Sequence, residues 1–171
     1  MIAHPEDHRK FFLSDLINAN GFTRGAEIGV HEGITYRHLL NKCPQLTLYG
    51  IDLWQHEKHN NKFEIFYTDL ISLFKDDSRS ILIRESSFTA HQKIDDNSLD
   101  FIFIDADHRY TSVKKDISNW MPKIRKNGYI CGHDINQRNV KKAVTEMIGN
   151  DYLIGPDNVW YKKIGVKYGE R

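Results

Sequence analysis

Cysteine is scarce in this chain: Cys43 and Cys131 are its only two, and they lack CxxC spacing. No disulfide framework or cysteine-based metal site is expected of them, and both read as buried thiols. An excess of one charge is lacking as well. Lys plus Arg number 24 against 23 Asp plus Glu, a formal net charge of +1, so no broad footprint for nucleic acid or an anionic membrane shows. Long apolar runs are absent. Nothing approaches the roughly 20 residues of a membrane helix, and the opening "MIAHPEDHRK" has no apolar core of signal-peptide length. The expectation is a cytoplasmic protein whose partner is a small-molecule substrate. Low-complexity segments, Gly/Ser linkers and internal repeats are missing too, so organisation has to be read from hydrophobic periodicity.

What is there suits one globular domain: 171 residues, 40% hydrophobic and 27% charged. An opening helix from Pro5 carries the stripe Phe12, Leu13, Leu16 and Ile17 and stops at Asn20-Gly21. It can cap one side of a sheet. Strand-like "AEIGV", helical "GITYRHLLNK" and strand-like "LTLYGID" then make a βαβ unit. Phe63, Phe66, Leu70, Leu73 and Phe74 mark a helix, "SILIRE" a third strand, and the almost wholly apolar "LDFIFID" a fourth, as suits parallel strands covered on both faces. Further on, Tyr110, Val113, Ile117, Trp120 and Met121 mark a helix, "GYICGHD" a fifth strand, and Val140, Ala143, Val144, Met147 and Ile148 a last helix. "YLI" and "NVWYKKI" lie too close for a crossover and should pair as an antiparallel hairpin. The expected fold class is α/β: Rossmann-like, doubly wound, with a mostly parallel seven-stranded sheet and an antiparallel C-terminal hairpin strand. Ligands of such sheets bind beyond the carboxyl ends of the strands.

The turn "AEIGVHEG" defines the ligand class. A dinucleotide fingerprint needs G-x-G-x-x-G to cradle a doubly anionic pyrophosphate. Counting from Gly29, the second glycine position holds His31 and the third Ile34, while Glu27 places a carboxylate where the phosphates would sit. An acid there repels phosphate and attracts an ammonium or sulfonium. S-adenosyl-L-methionine is the better fit. Gly29 would let backbone approach its methionyl portion, Gly33 would permit close helix packing, and Asp52, 23 residues beyond Gly29, could accept both ribose hydroxyls. The flanking Val30, His31 and Leu53 are cofactor-binding candidates by position, although a surface histidine needs no function. Trp54 is placed to pack on ribose or adenine.

These residues resemble the class I S-adenosylmethionine-dependent methyltransferases, whose first motif is E/D-x-G-x-x-x-G and whose second is an acid closing the second strand. The likeness continues through Ser86 and Ser87, "FIFIDADHRY" and "NGYICGHDI", and covers roughly residues 22 to 164. It is nearest to small bacterial enzymes related to sugar and catechol O-methyltransferases. The resemblance implies that Ser86 and Ser87 contact adenine and that Asp105 lies against the cofactor and the chemistry. It also implies that His108, three positions on, deprotonates an acceptor hydroxyl.

Asp105 after the fourth strand and His133-Asp134 after the fifth bring carboxylate, imidazole and carboxylate to one edge, a candidate metal site. In the metal-dependent O-methyltransferases that the chain resembles, comparable positions hold magnesium. The imidazole shifts preference toward manganese, iron or zinc, so the ion is open. The reading is therefore O-methylation of a small-molecule or sugar hydroxyl. Its alternatives are a metal-independent methyltransferase acting on nitrogen or a macromolecule, a noncatalytic cofactor-binding module, and an NAD-dependent oxidoreductase, which the broken glycine pattern disfavours. Connections are short, so an open pocket, or one completed in a homo-oligomer, is compatible with the sequence.

Overall fold

The computed structural model describes residues 8–55 and 59–165. The helix start at Pro5 lies outside them, as do three residues of the segment "QHEKHNNKFEIF". Helix α1 (His8–Ala19) precedes a regular alternation: β1 (Arg24–Ile28), α2 (Ile34–Lys42), β2 (Thr47–Asp52), α3 (Asn60–Phe74) and β3 (Ser80–Arg84). There follow the single-turn α4 (Ser87–Ala90), then β4 (Leu99–Ile104), α5 (Tyr110–Trp120), β5 (Ile124–Gly132), α6 (Arg138–Ile148), β6 (Leu153–Ile154) and β7 (Trp160–Lys163). The sheet order is β3-β2-β1-β4-β5-β7-β6. Strands β1 to β5 pair in parallel, and β7 runs antiparallel to both β5 and β6, as the short connection required. The seven strands and the hairpin are those expected from the sequence.

The apolar run of β4 shows why the sheet must be covered twice. Side chains alternate across a strand. Phe101 and Phe103 enter one core with Leu13 and Ile17 of α1, Leu39 and Leu40 of α2 and Leu70 of α3. Ile102 and Ile104 enter the other, with Val113, Ile117 and Trp120 of α5 and Val140, Ala143 and Val144 of α6. Cys43 and Cys131 are free and fully buried, and burial pushes both thiols well above their ordinary pKa, which makes them inert. No helix among the described residues is long and apolar enough to cross a membrane.

Candidate active site

Strand order reverses between β1 and β4, because the chain proceeds from β1 to β2 and β3 on one side and continues through β4 and β5 on the other. A crevice opens there, beyond the strands' carboxyl ends. Its floor is an extension of the sheet: Gly29 N–H donates to Ile51 O (2.8 Å), Asp105 N–H to Ile28 O (2.8 Å) and His133 N–H to Ile104 O (3.0 Å). The first residue after each of three strands is thereby held in the ladder. A cavity of about 530 Å³ sits above it, within the usual size for a small-molecule site.

Gly29 has φ 93°, and a Cβ there would fall 2.2 Å from the Asp105 carbonyl oxygen. The expectation that Gly29 serves the ligand's approach is thus refined: the chain's own β1–β4 closure already demands glycine. Gly33 (φ 80°) packs against the Leu70 side chain and leads into α2, as expected, without lining the cavity.

Asp52 joins two loops. One oxygen accepts His31 N–H at 2.8 Å, the other Trp54 N–H at 2.7 Å, and each keeps a lone pair for a ligand. Trp54 corrects an expectation. Its indole is fully buried, 4.9 Å from the Tyr67 ring, with Nε1 donating to His31 O at 2.8 Å. It braces the turn from behind and does not line this cavity. The His31 ring is likewise occupied, packing edge-on to Phe63 and Phe66. Val30, His31, Leu53, Ser86 and Ser87 all line the cavity. Ser86 also caps α4, its hydroxyl accepting Phe88 N–H at 3.3 Å.

Glu27 is 3% exposed, faces the cavity, and its Oε2 has no hydrogen-bond partner. Neither Arg24 nor Arg84 pairs with it: Arg24 donates to Tyr49 Oη (2.8 Å) and Arg84 pairs with Glu64 (2.5 Å). Burial first, then the Asp105 carboxylate, holds its carboxyl well above the usual range, with Arg9 pulling the other way. A buried acid in this condition stays neutral unless a cation is brought beside it. The lining agrees, since among the described residues Glu27, Glu32, Asp52, Glu85, Asp105 and Asp107 face two guanidiniums, Arg9 and Arg109.

The second group of acids lies on the β4–β5 side. Oxygens of Asp105 and Asp134 and a ring nitrogen of His108 converge within 4.8 Å of one another. His108 Nε2 stands 3.0 Å from Asp134 Oδ2 and 3.6 Å from Asp105 Oδ1, buried and without the alignment of a hydrogen bond. Burial pushes the Asp105 carboxyl up, but His108, His133 and Arg9 outweigh it and hold it well below the ordinary carboxylate range. Contact with Asp105, with Asp134 adding, raises His108. The expected set of Asp105, His133 and Asp134 is altered in one member, His108 being the nitrogen that converges with the two carboxylates. His133 flanks them, with Nδ1 at 3.3 Å from Asp134 and 3.6 Å from Asp105, while Nε2 lies 3.6 Å from Asp157. Asp134 has φ 59° and lies four residues before α6, so it is not that helix's cap.

Arg9 was not legible as a site residue. It sits on α1, outside every strand end, yet its Nη1 lies 3.5 Å from Asp105 and 3.4 Å from His133. Asp157, from the turn before β7, was missed for the same reason.

A family model described as a methyltransferase domain matches residues 26–135, from the end of β1 through the Asp105–His108–Asp134 group. The chain belongs to the methyltransferase-domain family. A curated relative of this methyltransferase domain, the uncharacterized protein y4gI of Sinorhizobium fredii (strain NBRC 101917 / NGR234), is 28% identical over 134 residues, covering 72% of this chain. The match spans 14% of that relative's own length. Among solved structures, a Podospora anserina methyltransferase with bound S-adenosylhomocysteine is 13% identical at a TM-score of 0.72, covering 90% of this chain and 76% of its own. A Bacillus cereus O-methyltransferase in complex with S-adenosylhomocysteine is 15% identical at 0.66, covering 90% and 79%. At such identities the structural likeness speaks for the fold of the methyltransferase domain.

Proposed function

We propose that this methyltransferase domain moves the methyl group of S-adenosylmethionine to a hydroxyl oxygen of a small molecule or sugar, in the cytoplasm. Glu27 carries the reading: a carboxylate oxygen buried without a partner, in a cavity rimmed by acids. S-adenosylmethionine supplies the methyl group together with a cationic aminoacyl end, a ribose diol and an adenine to be held. Glu27 accepts from the ammonium, and the free lone pairs of Asp52 accept from the diol. Ser86, Ser87 and Phe88, with Leu53, form the slot for the base. A pyrophosphate would meet Glu27 and Asp52 instead, which argues against NAD.

Methyl transfer is one displacement, and it asks for alignment and a deprotonated acceptor rather than a covalent intermediate. Asp105, His108 and Asp134 fit a divalent ion by their donor set, two carboxylates and one buried imidazole nitrogen lacking a hydrogen bond. Such an ion would supply Lewis acidity to the acceptor oxygen, and nitrogen in the set favours manganese, iron or zinc over magnesium. A second reading is favoured by Arg9, whose guanidinium beside Asp105 already brings positive charge to the cluster. In that reading His108 is the base and no metal is needed.

Calorimetric titration with S-adenosylhomocysteine and with NAD, each with and without manganese, tests these statements. Binding of the homocysteine ligand and not of NAD is expected. NAD binding alone would refute the proposal. Methyl transfer that survives a chelator and is lost in His108→Ala would select the metal-free reading.

A further inference from the structure

Arg9 is delivered to the cavity by a helix that the core holds in place. One turn after it on the same face of α1, Leu13 is fully buried, as is Ile17 a turn further on, and Ser14 Oγ lies 3.2 Å from His38 Nε2 of α2. The Arg9 side chain is 24% exposed and lines the cavity. Its Nη1 stands 3.4 Å from His133 Nδ1 and 3.5 Å from Nε2. A donor almost equidistant from both ring nitrogens lies over the imidazole face, in line with neither lone pair. The same Nη1 is 3.5 Å from Asp105, whose carboxylate is shared with His108 and His133, each at 3.6 Å. Among the described residues, every contact of this guanidinium runs through Nη1. The fork formed by Nε and Nη2 is therefore unspent.

The other charges of the lining are committed elsewhere. Arg109 pairs with Asp107 through Nε (2.6 Å) and Nη2 (2.5 Å), with its side chain 80% exposed, and Asp107 also accepts Ser112 Oγ at 2.8 Å. Glu27, Glu32, Asp52 and Glu85 come from β1, β2 and the turns after β1 and β3, the end given to the cofactor. An acceptor whose hydroxyl reaches Asp105 and His108 thus meets the Arg9 fork next. Two parallel N–H groups in one plane match the two oxygens of a carboxylate. A phosphate dianion would call for a second cation, and Arg109 is taken.

We propose that the acceptor is a hydroxy acid, its carboxylate held by the Nε–Nη2 fork of Arg9 while its hydroxyl lies at Asp105 and His108. The inference rests on the methyl-transfer reading above. With Nη1 3.5 Å from Asp105, the fork on the guanidinium's other side reaches a carboxylate roughly 6 Å from that hydroxyl, the width of a six-membered ring. An acid whose two groups stand across an aromatic or pyranose ring fits. A neutral acceptor leaves the fork unpaired.

The test is calorimetric binding to the full chain saturated with S-adenosylhomocysteine. Two pairs are compared: para-hydroxybenzoate with para-hydroxybenzamide, and galacturonate with galactose. The wild type should prefer the acid of at least one pair by about tenfold or more, the scale of a charge-assisted pair of hydrogen bonds, and the responding pair separates a phenolic from a sugar acid. Arg9→Gln should bring that ratio close to one. Arg9→Lys, which keeps the charge without the fork, should give an intermediate ratio, and both variants should still bind S-adenosylhomocysteine, which shows them folded. A preference that survives in Arg9→Gln would overturn the role of Arg9. Acid and neutral partner bound alike, or none of the four bound by the loaded wild type, would overturn the hydroxy-acid assignment. A wild type that fails to bind S-adenosylhomocysteine would instead refute the methyl-transfer reading, and this inference with it.

Discussion

Replacing Asp116 by Asn should stabilise the protein in a manner that grows with pH. Burial pushes this carboxyl up from 3.8 to about 6, with Ser87 and Lys115 lowering it and Asp107 raising it. Between those two values the folded state keeps a proton that the unfolded chain has released. The folded state binds more protons there, so stability falls as pH rises through that window and the loss is complete above the folded-state value. At about 1.4 kcal/mol per pH unit, the full span is worth about 3 kcal/mol, of which about 2 kcal/mol falls between pH 4.5 and 8. Asn does not titrate. Its amide brings an extra N–H₂ to be satisfied, which adds an offset that is the same at every pH. The quantity to read is therefore the change, from pH 4.5 to 8, in the stability difference between variant and wild type, measured by urea unfolding. Every other titrating group is common to both proteins and cancels. An increase of about 2 kcal/mol in favour of Asn is expected, equivalent to several degrees in Tm for a chain of this size. A difference that stays constant within about 0.5 kcal/mol would show that Asp116 titrates as an ordinary carboxyl in the folded state, and the argument from its burial would fall.

Glu27→Gln should weaken S-adenosylmethionine about 10- to 100-fold, the range for one charge-assisted hydrogen bond, with little loss of fold stability; calorimetry and melting curves separate the two. Manganese should raise the Tm of the wild type and leave His108→Ala and Asp134→Ala unmoved. Because Asp105 and Asp134 hold His108 protonated above its ordinary range, that manganese effect should fade as pH drops, and a pH-independent shift would exclude His108 as a ligand. Gly29→Ala should cost at least about 3 kcal/mol, since a left-handed backbone and a clash with the Asp105 carbonyl add together. A near-neutral result in thermal unfolding would mean that the β1 and β4 ends can part freely.

The sheet was readable because its signals are local. Strand β4 is apolar at every position but Asp100, and acids close β2 and follow β4, so Asp52 and Asp105 could be placed before any coordinates. Glu27 followed from the glycine pattern, because its carboxylate conflicts with a phosphate whatever the surrounding fold. Trp54 was misjudged because position beside Asp52 says which loop a residue occupies and not which way its ring turns. The positive φ of 45° at Trp54 sends the indole into the core beneath His31. Arg9 and Asp157 were beyond reach for another reason. Each comes to the site from a helix or turn distant in sequence, and one chain's periodicity carries no sign of which surface residues tertiary packing will fold inward.

The three hydrogen bonds that carry the ladder past the strands make the cavity floor part of the framework, whereas Arg9 on α1 and Asp157 before β7 reach its β4–β5 end as side chains alone. The architecture is therefore modular. Residues 26–52 and 84–105 carry the floor with their backbone, so side chains at positions 9 and 157 can vary and change the surroundings of Asp105 and His133 without altering it.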